Sequence, residues 1–251
     1  MAVLTLLTDF GEQDVYVGVL KGVIAQIAPA VAVIDLTHGI TDIPAASFAL
    51  ASAFPYFGLD TIHVAVVDPG VGSDRRAVAV QFRQGTVIAP DNGLVDRLLA
   101  EYPVLAAVHL DNPVYWLTAS PSATFHGRDI FAPAAAHLAK GATLKELGTA
   151  IDPSSLVRLA ERPGWYVQYI DRFGNLISNI PAGCWGDHQM ILLKGQVIPS
   201  ASHYGAVPVG AAIALIGSHG YLEIAINQGS AARYFDVGVG EPLTLHPLIS
   251  S

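Results

Sequence analysis

The sequence predicts two domains: an α/β N-terminal domain with a mostly parallel sheet, and a small all-β, barrel-like C-terminal domain. Up to about residue 155, strand-like apolar runs alternate with helical segments, which is typical of a parallel sheet covered by helices on both faces. Beyond that point the segments are short, β-rich and separated by Gly, Asn and Pro. We place the domains at residues 1–155 and 165–251, with the boundary in the Pro-containing stretch from Asp152 to Gly164.

The elements of the first domain follow from hydrophobic periodicity. Apolar runs predict strands at Val3–Leu7, Val31–Leu36, Ile62–Val67, Val78–Phe82 and Thr86–Ala89, the last two joined by a turn at Gln84-Gly85. Helical spacing predicts helices at Asp14–Ile27, Pro44–Phe54, Gly93–Glu101 and Arg128–Lys140. Asp14 is a candidate N-cap and Gly141 a candidate C-cap. In the second domain we expect strands in WYVQYID, NLISNI, MILLKG, QVIPS, AAIALIG, YLEIAIN and PLTLHPL.

The composition excludes several classes of protein. The chain has 13 basic and 21 acidic residues, a net charge of −8, so a nucleic-acid-binding protein with a basic surface is disfavoured. A single cysteine, Cys184, cannot form a disulfide framework. The N-terminus lacks a basic segment, and no apolar run reaches the roughly 18 residues of a membrane span. We expect a cytoplasmic protein.

Three of the predicted strands run into an aspartate: Asp9 in LLTDF, Asp35 in VIDLT and Asp68 in VVDPG. Ligands of open α/β sheets bind at the carboxyl ends of the strands. We therefore expect the three carboxylates along one edge of the sheet, where they would line a ligand site.

The segment VVDPGVGSDRRAV predicts a loop that presents Asp68. Pro69 fixes its own φ angle and biases Asp68 toward extended geometry. Gly70 and Gly72 allow backbone conformations that other residues rarely adopt. Such a loop can bring Arg75 or Arg76 back toward Asp68. The alternative interpretation is a tight turn with a surface ion pair.

The segment TFHGRDIF places a histidine, an arginine and an aspartate at the start of a helix. His126 is suited to proton exchange near pH 7, and a helix N-terminus offers free N–H groups. The alternative is that Asp129 only caps the helix and His126 is only packed. APDNG at 89–93 and DRFGNLISN at 171–179 also have a purely structural interpretation as turns.

Two nucleotide-binding motifs are absent from the sequence, G-x-x-x-x-G-K-[ST] and a G-x-G-x-x-G that opens a helix. A metal site is harder to dismiss. Asp9, Asp14, Asp68 and His126 could form the carboxylate and histidine cage of a metal-dependent hydrolase, although no H-x-H or H-E-x-x-H occurs.

Six segments together resemble one family in order and spacing: LLTDFGEQDVYVGVLKGVI, VAVVDPGVGSDRRAV, APDNGL, TFHGRDIFAPAAAHLAKG, DRFGNLISNI and GSHGYLEIAINQGSAA. The family is that of the S-adenosylmethionine (SAM) hydroxide adenosyltransferases, relatives of the fluorinases and chlorinases. The resemblance implies hydrolysis of SAM to adenosine and L-methionine by attack of water or hydroxide at ribose C5′. It also implies an α/β domain followed by a β-barrel, and a homotrimer that holds the substrate at its subunit interface.

The resemblance assigns roles residue by residue. Catalysis falls to Asp68, Arg75 and His126, and the ribose hydroxyls to Asp9. The residues implied around the rest of the substrate are Asp14, Asp171, Asn175 and Ser218 at the methionine part, Tyr221 near the ligand, and the backbone near Asn227 at the adenine edge. No metal and no cofactor beyond the substrate are implied.

Departures from the halogenases favour the hydroxide branch. The halogenases have a tyrosine at the position of Asp68, and an anionic Asp68 would repel a halide. The fluorinases have a serine at the position of Gly127 and a long insertion where this chain has the short turn Arg83-Gln84-Gly85. Two alternatives stay open: a non-catalytic trimer that binds SAM or adenosine, and the metal-dependent hydrolase.

Overall fold

The computed structural model describes residues 2–185 and 190–246. The chain divides into two compact units, Met1–Ala160 and Glu161–Ser251.

The first unit contains all the predicted strands and helices of its region and two further strands. The strands are β1 (Val3–Thr8), β2 (Ala32–Thr37), β3 (Thr61–Val66), β4 (Ala77–Phe82), β5 (Gly85–Pro90), β6 (Val104–His109) and β7 (Thr149–Ala150). The helices are α1 (Tyr16–Ile27), α2 (Ile43–Ala53), α3 (Asp96–Glu101) and α4 (Ala132–Ala139). The strands β6 and β7 were not predicted.

The sheet of this unit has the order β2-β1-β3-β5-β4-β6-β7. The pairs among β2, β1, β3 and β5 are parallel, whereas β5-β4, β4-β6 and β6-β7 are antiparallel. The expected mostly parallel sheet is therefore found only in part, and the sheet is mixed. The reversal follows from the β4–β5 hairpin, in which Phe82 lies opposite Gly85 across the two-residue turn Arg83-Gln84.

Both faces of the sheet are covered, as predicted. On one face α1 and α4 pack through Leu20, Ile24 and the residue preceding α4, Phe131. On the other face α2 and α3 pack through Leu50 and Leu98. This covering leaves the ends of the strands, rather than the faces of the sheet, as the places where polar side chains can meet.

Two local expectations are wrong. Asp35 does not end β2, because the strand continues to Thr37 beyond an irregularity in its register with β1. Its exposed carboxylate instead lies 2.6 Å from Lys21 Nζ on α1. Asp14 is not an N-cap, since α1 begins at Tyr16 and its cap residue, Val15, makes no side-chain hydrogen bond.

The second unit is an antiparallel, barrel-like sheet, as predicted. Its strands are β8 (Trp165–Ile170), β9 (Leu176–Pro181), β10 (Met190–Leu193), β11 (Gln196–Pro199), β12 (Ala212–Ile216), β13 (Tyr221–Ile226) and β14 (Pro242–His246), with the short helices α5 (Ala182–Trp185) and α6 (Ala231–Phe235). The order is β11-β10-β14-β8-β9-β13-β12. A bridge between Ser200 and Ala214 links the two outer strands, so the sheet nearly closes. Val167, Ile180 and Ile224 are fully buried in its core.

No helix in residues 2–185 or 190–246 is long and apolar enough to cross a membrane.

Candidate active site

Two of the three predicted aspartates meet at the carboxyl edge of the sheet. β1 and β3 are parallel neighbours with Thr8 opposite Val66, so the residues that follow both strands lie side by side. Asp9 Oδ2 accepts a hydrogen bond of 3.1 Å from the backbone N–H of Asp68. Burial raises the pKa of Asp9, and the negative charge of Asp68 adds to this effect.

Asp68 forms a nearly buried ion pair with Arg75. Arg75 Nε lies 2.9 Å from both carboxylate oxygens, and Nη2 donates a further hydrogen bond to Oδ2. The side chains are only 5% and 9% exposed, so water screens this pair poorly. Of the two arginines that the sequence offered, Arg75 makes this contact, whereas Arg76 pairs with Asp91.

The loop between the two partners depends on Gly72. Its φ is +83°, and a Cβ at this position would lie 2.3 Å from the carbonyl oxygen of Ala123. Both the backbone conformation and the close approach therefore require glycine. This contact packs the loop against the segment that leads to His126.

His126 completes the group. Its Nδ1 lies 2.8 Å from Arg75 Nη2. Because a guanidinium only donates, Nδ1 is the acceptor, so the imidazole is neutral and carries its proton on Nε2. Burial and then the charge of Arg75 lower the pKa of His126, against the opposing charges of Asp68 and Asp129, which also favours the neutral ring.

The backbone around His126 is irregular. Residues Gly127–Phe131 form a π-helical turn directly ahead of α4, a feature that is frequent at functional sites. The buried Asp129 accepts hydrogen bonds from Arg128 and from the backbone N–H of Ser122. Burial alone would raise the pKa of Asp129, but these hydrogen bonds outweigh it and the pKa is lowered. Asp129 thus ties the turn to the preceding loop.

A cavity of about 340 Å³ opens beside these groups. Its lining comprises Asp9, Phe10, Tyr16, Val66, Asp68, Val71, Thr124, Phe125, His126 and Gly127. Phe10, Tyr16 and Phe125 pack edge to face with centroid distances of 5.3–6.2 Å and form an aromatic wall. The sequence reading missed this wall, although both phenylalanines directly adjoin residues it had selected, Asp9 and His126.

The remaining predicted site residue of the first unit, Asp14, does not line this cavity. Asp14 is exposed, in the segment between β1 and α1. Within residues 2–185 and 190–246, no group of three or more His, Cys, Asp or Glu side chains is arranged to hold a metal ion.

In the second unit, Asp171 and Asn175 form the turn between β8 and β9. Asp171 Oδ1 accepts from the Asn175 backbone and Oδ2 accepts from its Nδ2, at 2.8 and 2.9 Å. Both residues line a second cavity of about 520 Å³, together with Tyr204 and Arg233, which the sequence reading missed. Nothing in the local sequence pattern around Tyr204 and Arg233 distinguishes them from surface residues.

The three remaining predicted residues lie around β13. Ser218 is exposed in the turn between β12 and β13, and Tyr221 is the first residue of β13. Asn227 follows β13, where its Nδ2 donates to the Val207 carbonyl at 2.7 Å and its backbone N–H donates to Ala211. Its neighbours Ile226 and Gln228 line the second cavity.

Comparison with known proteins decides the family. The sequence profile of the SAM hydroxide adenosyltransferase N-terminal domain matches residues 4–148, and that of the C-terminal domain matches residues 165–244. The chain belongs to the SAM hydroxide adenosyltransferase family.

Individual members and relatives of the family align over nearly the whole chain. A protein of Thermus thermophilus named (R)-S-adenosyl-L-methionine hydrolase is 41% identical, over 95% of this chain and 97% of that protein. A fluorinase of an Actinoplanes species is 26% identical over 97% of each. The crystal structure of an uncharacterized conserved protein from Thermotoga maritima superimposes with a TM-score of 0.91 at 32% identity, covering 98% of this chain and all of the other.

Proposed function

We propose that this adenosyltransferase family member is an enzyme that hydrolyses S-adenosyl-L-methionine to adenosine and L-methionine. The observation that carries the proposal is the Asp68–Arg75–His126 group beside a cavity. It is supported by 41% identity to a named SAM hydrolase over 95% of the chain.

The reaction is a displacement at ribose C5′. The oxygen of water forms a bond to C5′, the C5′–S bond breaks, and the sulfur of methionine keeps the electron pair. Methionine leaves neutral, so no acid is needed for the leaving group, and one proton is released per turnover. The protein must therefore position a water molecule and activate it as the nucleophile.

The three residues divide this work. Arg75 fixes the orientation of both Asp68 and His126 through its guanidinium. With Nδ1 of His126 accepting from Arg75, the Nε2 proton is the one available to hold a water oxygen. Asp68 Oδ1 accepts only from Arg75 Nε among the contacts of the described residues, which leaves a lone pair for the water proton. We therefore assign proton acceptance to Asp68 and orientation of the water to His126.

The aromatic wall can attract the sulfonium group of SAM, which is the electrophile. A sulfonium cation is attracted to the faces of aromatic rings by about 0.5–2 kcal/mol. Phe10, Tyr16 and Phe125 also exclude competing water from that side of the cavity.

The family motifs support the remaining assignments. Asp9 holds the ribose hydroxyls, Asp14, Asp171, Asn175 and Ser218 bind the methionine part, Tyr221 adjoins the ligand, and the backbone near Asn227 meets the adenine edge. The same resemblance supports a cytoplasmic homotrimer with the substrate at the subunit interface, and a reaction without metal or cofactor.

Three features favour water over halide as the nucleophile. Asp68 is ion-paired and nearly buried where the halogenases have tyrosine. A Cβ on Gly127 would lie 3.0 Å from Phe10 Cζ, so the serine of the fluorinases would fit only if this ring shifted slightly. The β4–β5 turn has two residues and no insertion. Since the Thermus relative is named for the (R) form of its substrate, we propose the (R)-sulfonium epimer as the preferred substrate.

The test is incubation of the purified protein with each sulfonium epimer separately, with adenosine, methionine and released protons quantified. We expect adenosine, methionine and protons in equal amounts, and faster consumption of the (R) epimer than of the (S) epimer. If no adenosine or methionine is formed from either epimer, while adenosine added separately still binds, the result would instead support a binding protein. Faster formation of a 5′-halo-adenosine when halide is supplied would contradict the hydroxide assignment.

A further inference from the structure

Two consecutive residues, Asp91 and Asn92, hold the two ends of the loop that carries Asp68 and Arg75. Asn92 Nδ2 donates a hydrogen bond of 2.9 Å to the carbonyl of Val67, the residue directly before Asp68. Asp91 Oδ2 accepts hydrogen bonds of 2.8 and 2.5 Å from Arg76 Nε and Nη2. Arg76 directly follows Arg75, so both anchors adjoin the catalytic pair.

The anchor at Asp91 is buried and fully bonded. Asp91 is 7% exposed. Its Oδ1 accepts from the backbone N–H of Val157 at 2.8 Å, and its own N–H donates to the Arg76 carbonyl at 2.9 Å. A buried carboxylate with a guanidinium partner and a further N–H donor is a strong fixed point, because any displacement leaves a buried charge without its hydrogen bonds.

The register of the chain explains why this fixed point matters. Arg75 and Arg76 directly precede β4, and their side chains bind different partners. Arg75 turns toward Asp68 and His126, while Arg76 turns toward Asp91. A slip of one residue would present Arg76 in place of Arg75. Pairing of Arg76 with Asp91 opposes this slip, and the hydrogen bond to Val67 fixes the other end.

We propose that Asp91 and Asn92 are positioning residues, which fix the geometry of the Asp68–Arg75–His126 group by clamping both ends of loop 68–75. Neither residue lines the cavity beside His126. Their contribution to turnover rests on the proposed function, but their effect on the environment of His126 does not.

The competing explanation is that Asp91 only fastens the chain around Val157 to the domain. The protein offers a matched control. Asp96, at the start of α3, accepts a hydrogen bond of 2.5 Å from Arg158 Nε and so ties the same segment to the same domain. Asp96 contacts neither end of loop 68–75 among the described residues. Asp91→Asn and Asp96→Asn thus separate positioning of the loop from tethering of the segment.

Three quantities are measured for both variants: the thermal midpoint, the steady-state constants with SAM, and the titration of His126 by NMR, assigned with His126→Gln. The groups that act on His126 are Arg75, Asp68 and Asp129. If Arg75 loses its fixed position, its charge depresses the pKa of His126 less, and the pKa rises toward its ordinary value.

For Asp91→Asn we expect kcat to fall about 10–100-fold with KM within about twofold, and the pKa of His126 to rise. Asp96→Asn should lower only the thermal midpoint. The proposal is overturned if Asp91→Asn leaves both kcat and the His126 titration unchanged, or if Asp96→Asn reproduces both effects.

Two further cases are decided by the same measurements. Should Asp91→Asn fail to fold, Asn92→Asp removes the donor to Val67 and keeps the acceptor for the Leu94 N–H, and it must show the same two effects. Should the wild-type protein lack turnover, the proposed function fails, and the His126 titration alone supports or overturns the positioning role.

Discussion

At the scale of single residues, Arg75 is the residue that joins the other two members of the candidate site, Asp68 and His126. One guanidinium binds a carboxylate and the Nδ1 atom of an imidazole, so it fixes the orientation of the carboxylate and the tautomer of the imidazole. A lysine at this position could not reproduce both contacts, because its ammonium lacks the planar fork of donors. The three side chains therefore act as one unit.

Asp68→Asn tests the role of the carboxylate. We expect turnover to fall at least about 100-fold, as for loss of a general base, while adenosine binding measured by calorimetry is retained. Asp35→Asn is the control, because Asp35 forms an exposed ion pair with Lys21 on the outer strand. Substantial turnover by Asp68→Asn would show that the proton goes elsewhere.

We expect His63 to make the fold sensitive to acid. It is fully buried on β3, its Nδ1 lies 2.9 Å from Thr5 Oγ1, and burial lowers its pKa from 6.5 to about 4. Between these values the unfolded chain binds a proton that the folded chain does not, so stability falls as the pH falls from 6.5 to 4. The loss amounts to about 3 kcal/mol at most.

Thermal unfolding across this pH range checks the prediction. His63→Gln should flatten the decline of the midpoint below pH 6.5, even if its midpoint at pH 7 is lower. His203→Gln changes an exposed histidine and should keep the wild-type slope. An unchanged slope in His63→Gln would contradict the assignment.

At the scale of elements, hydrogen bonds within the loop from Asp68 to Arg75 stabilise it, in addition to the contacts at its two ends. The backbone N–H of Val71 donates to the Asp68 carbonyl, and Ser73 Oγ donates to the Gly70 carbonyl. Gly72 then allows the loop to touch Ala123. The loop is therefore a preformed support for its two charged side chains.

Comparison of Gly72→Ala with Gly70→Ala tests this support. A left-handed conformation costs an alanine about 1–2 kcal/mol, and the contact with the Ala123 carbonyl adds to this cost. We expect Gly72→Ala to lower kcat more than about tenfold and to lower the thermal midpoint. A Cβ added to Gly70 would lie 3.5 Å from its nearest neighbour, which is an ordinary contact, and the φ of Gly70 is not in the left-handed region. Gly70→Ala should therefore have the smaller effect in both assays.

The elements also show what sequence patterns can predict. Asp9 and Asp68 were correctly placed together, because they follow adjacent parallel strands. Asp35 was placed wrongly, because an apolar run before an aspartate does not reveal that β2 continues to Thr37. The partner of Arg76 could not be predicted either, since Asp91 faces it only once β4 and β5 pair.

At the scale of the whole molecule, the fold class was largely predictable, because alternation of helices with strands and then a run of short strands both have clear periods. The antiparallel half of the first sheet was not. β6 follows Pro103, and its two central residues are alanines, a type that is depleted in strands. The cavity walls depend on tertiary packing and have no periodic signature.

Metal dependence is a property of the whole enzyme, and we expect none. A neutral leaving group needs no Lewis acid, so prolonged treatment with EDTA should leave the rate of adenosine release within about twofold. Loss of activity that returns on addition of a divalent metal would favour the metal-dependent hydrolase. The same protein after EDTA treatment should keep its thermal midpoint.

The ion pair in the cavity also bears on product release. Arg75 compensates the charge of Asp68, so an ionised Asp9 leaves the groups lining the cavity with one net negative charge. That charge attracts a sulfonium, and the reaction converts the sulfonium into a neutral thioether. On the proposed function, bond cleavage itself removes the attraction that held the reactant, so methionine and adenosine should be weak inhibitors and turnover should continue as they accumulate.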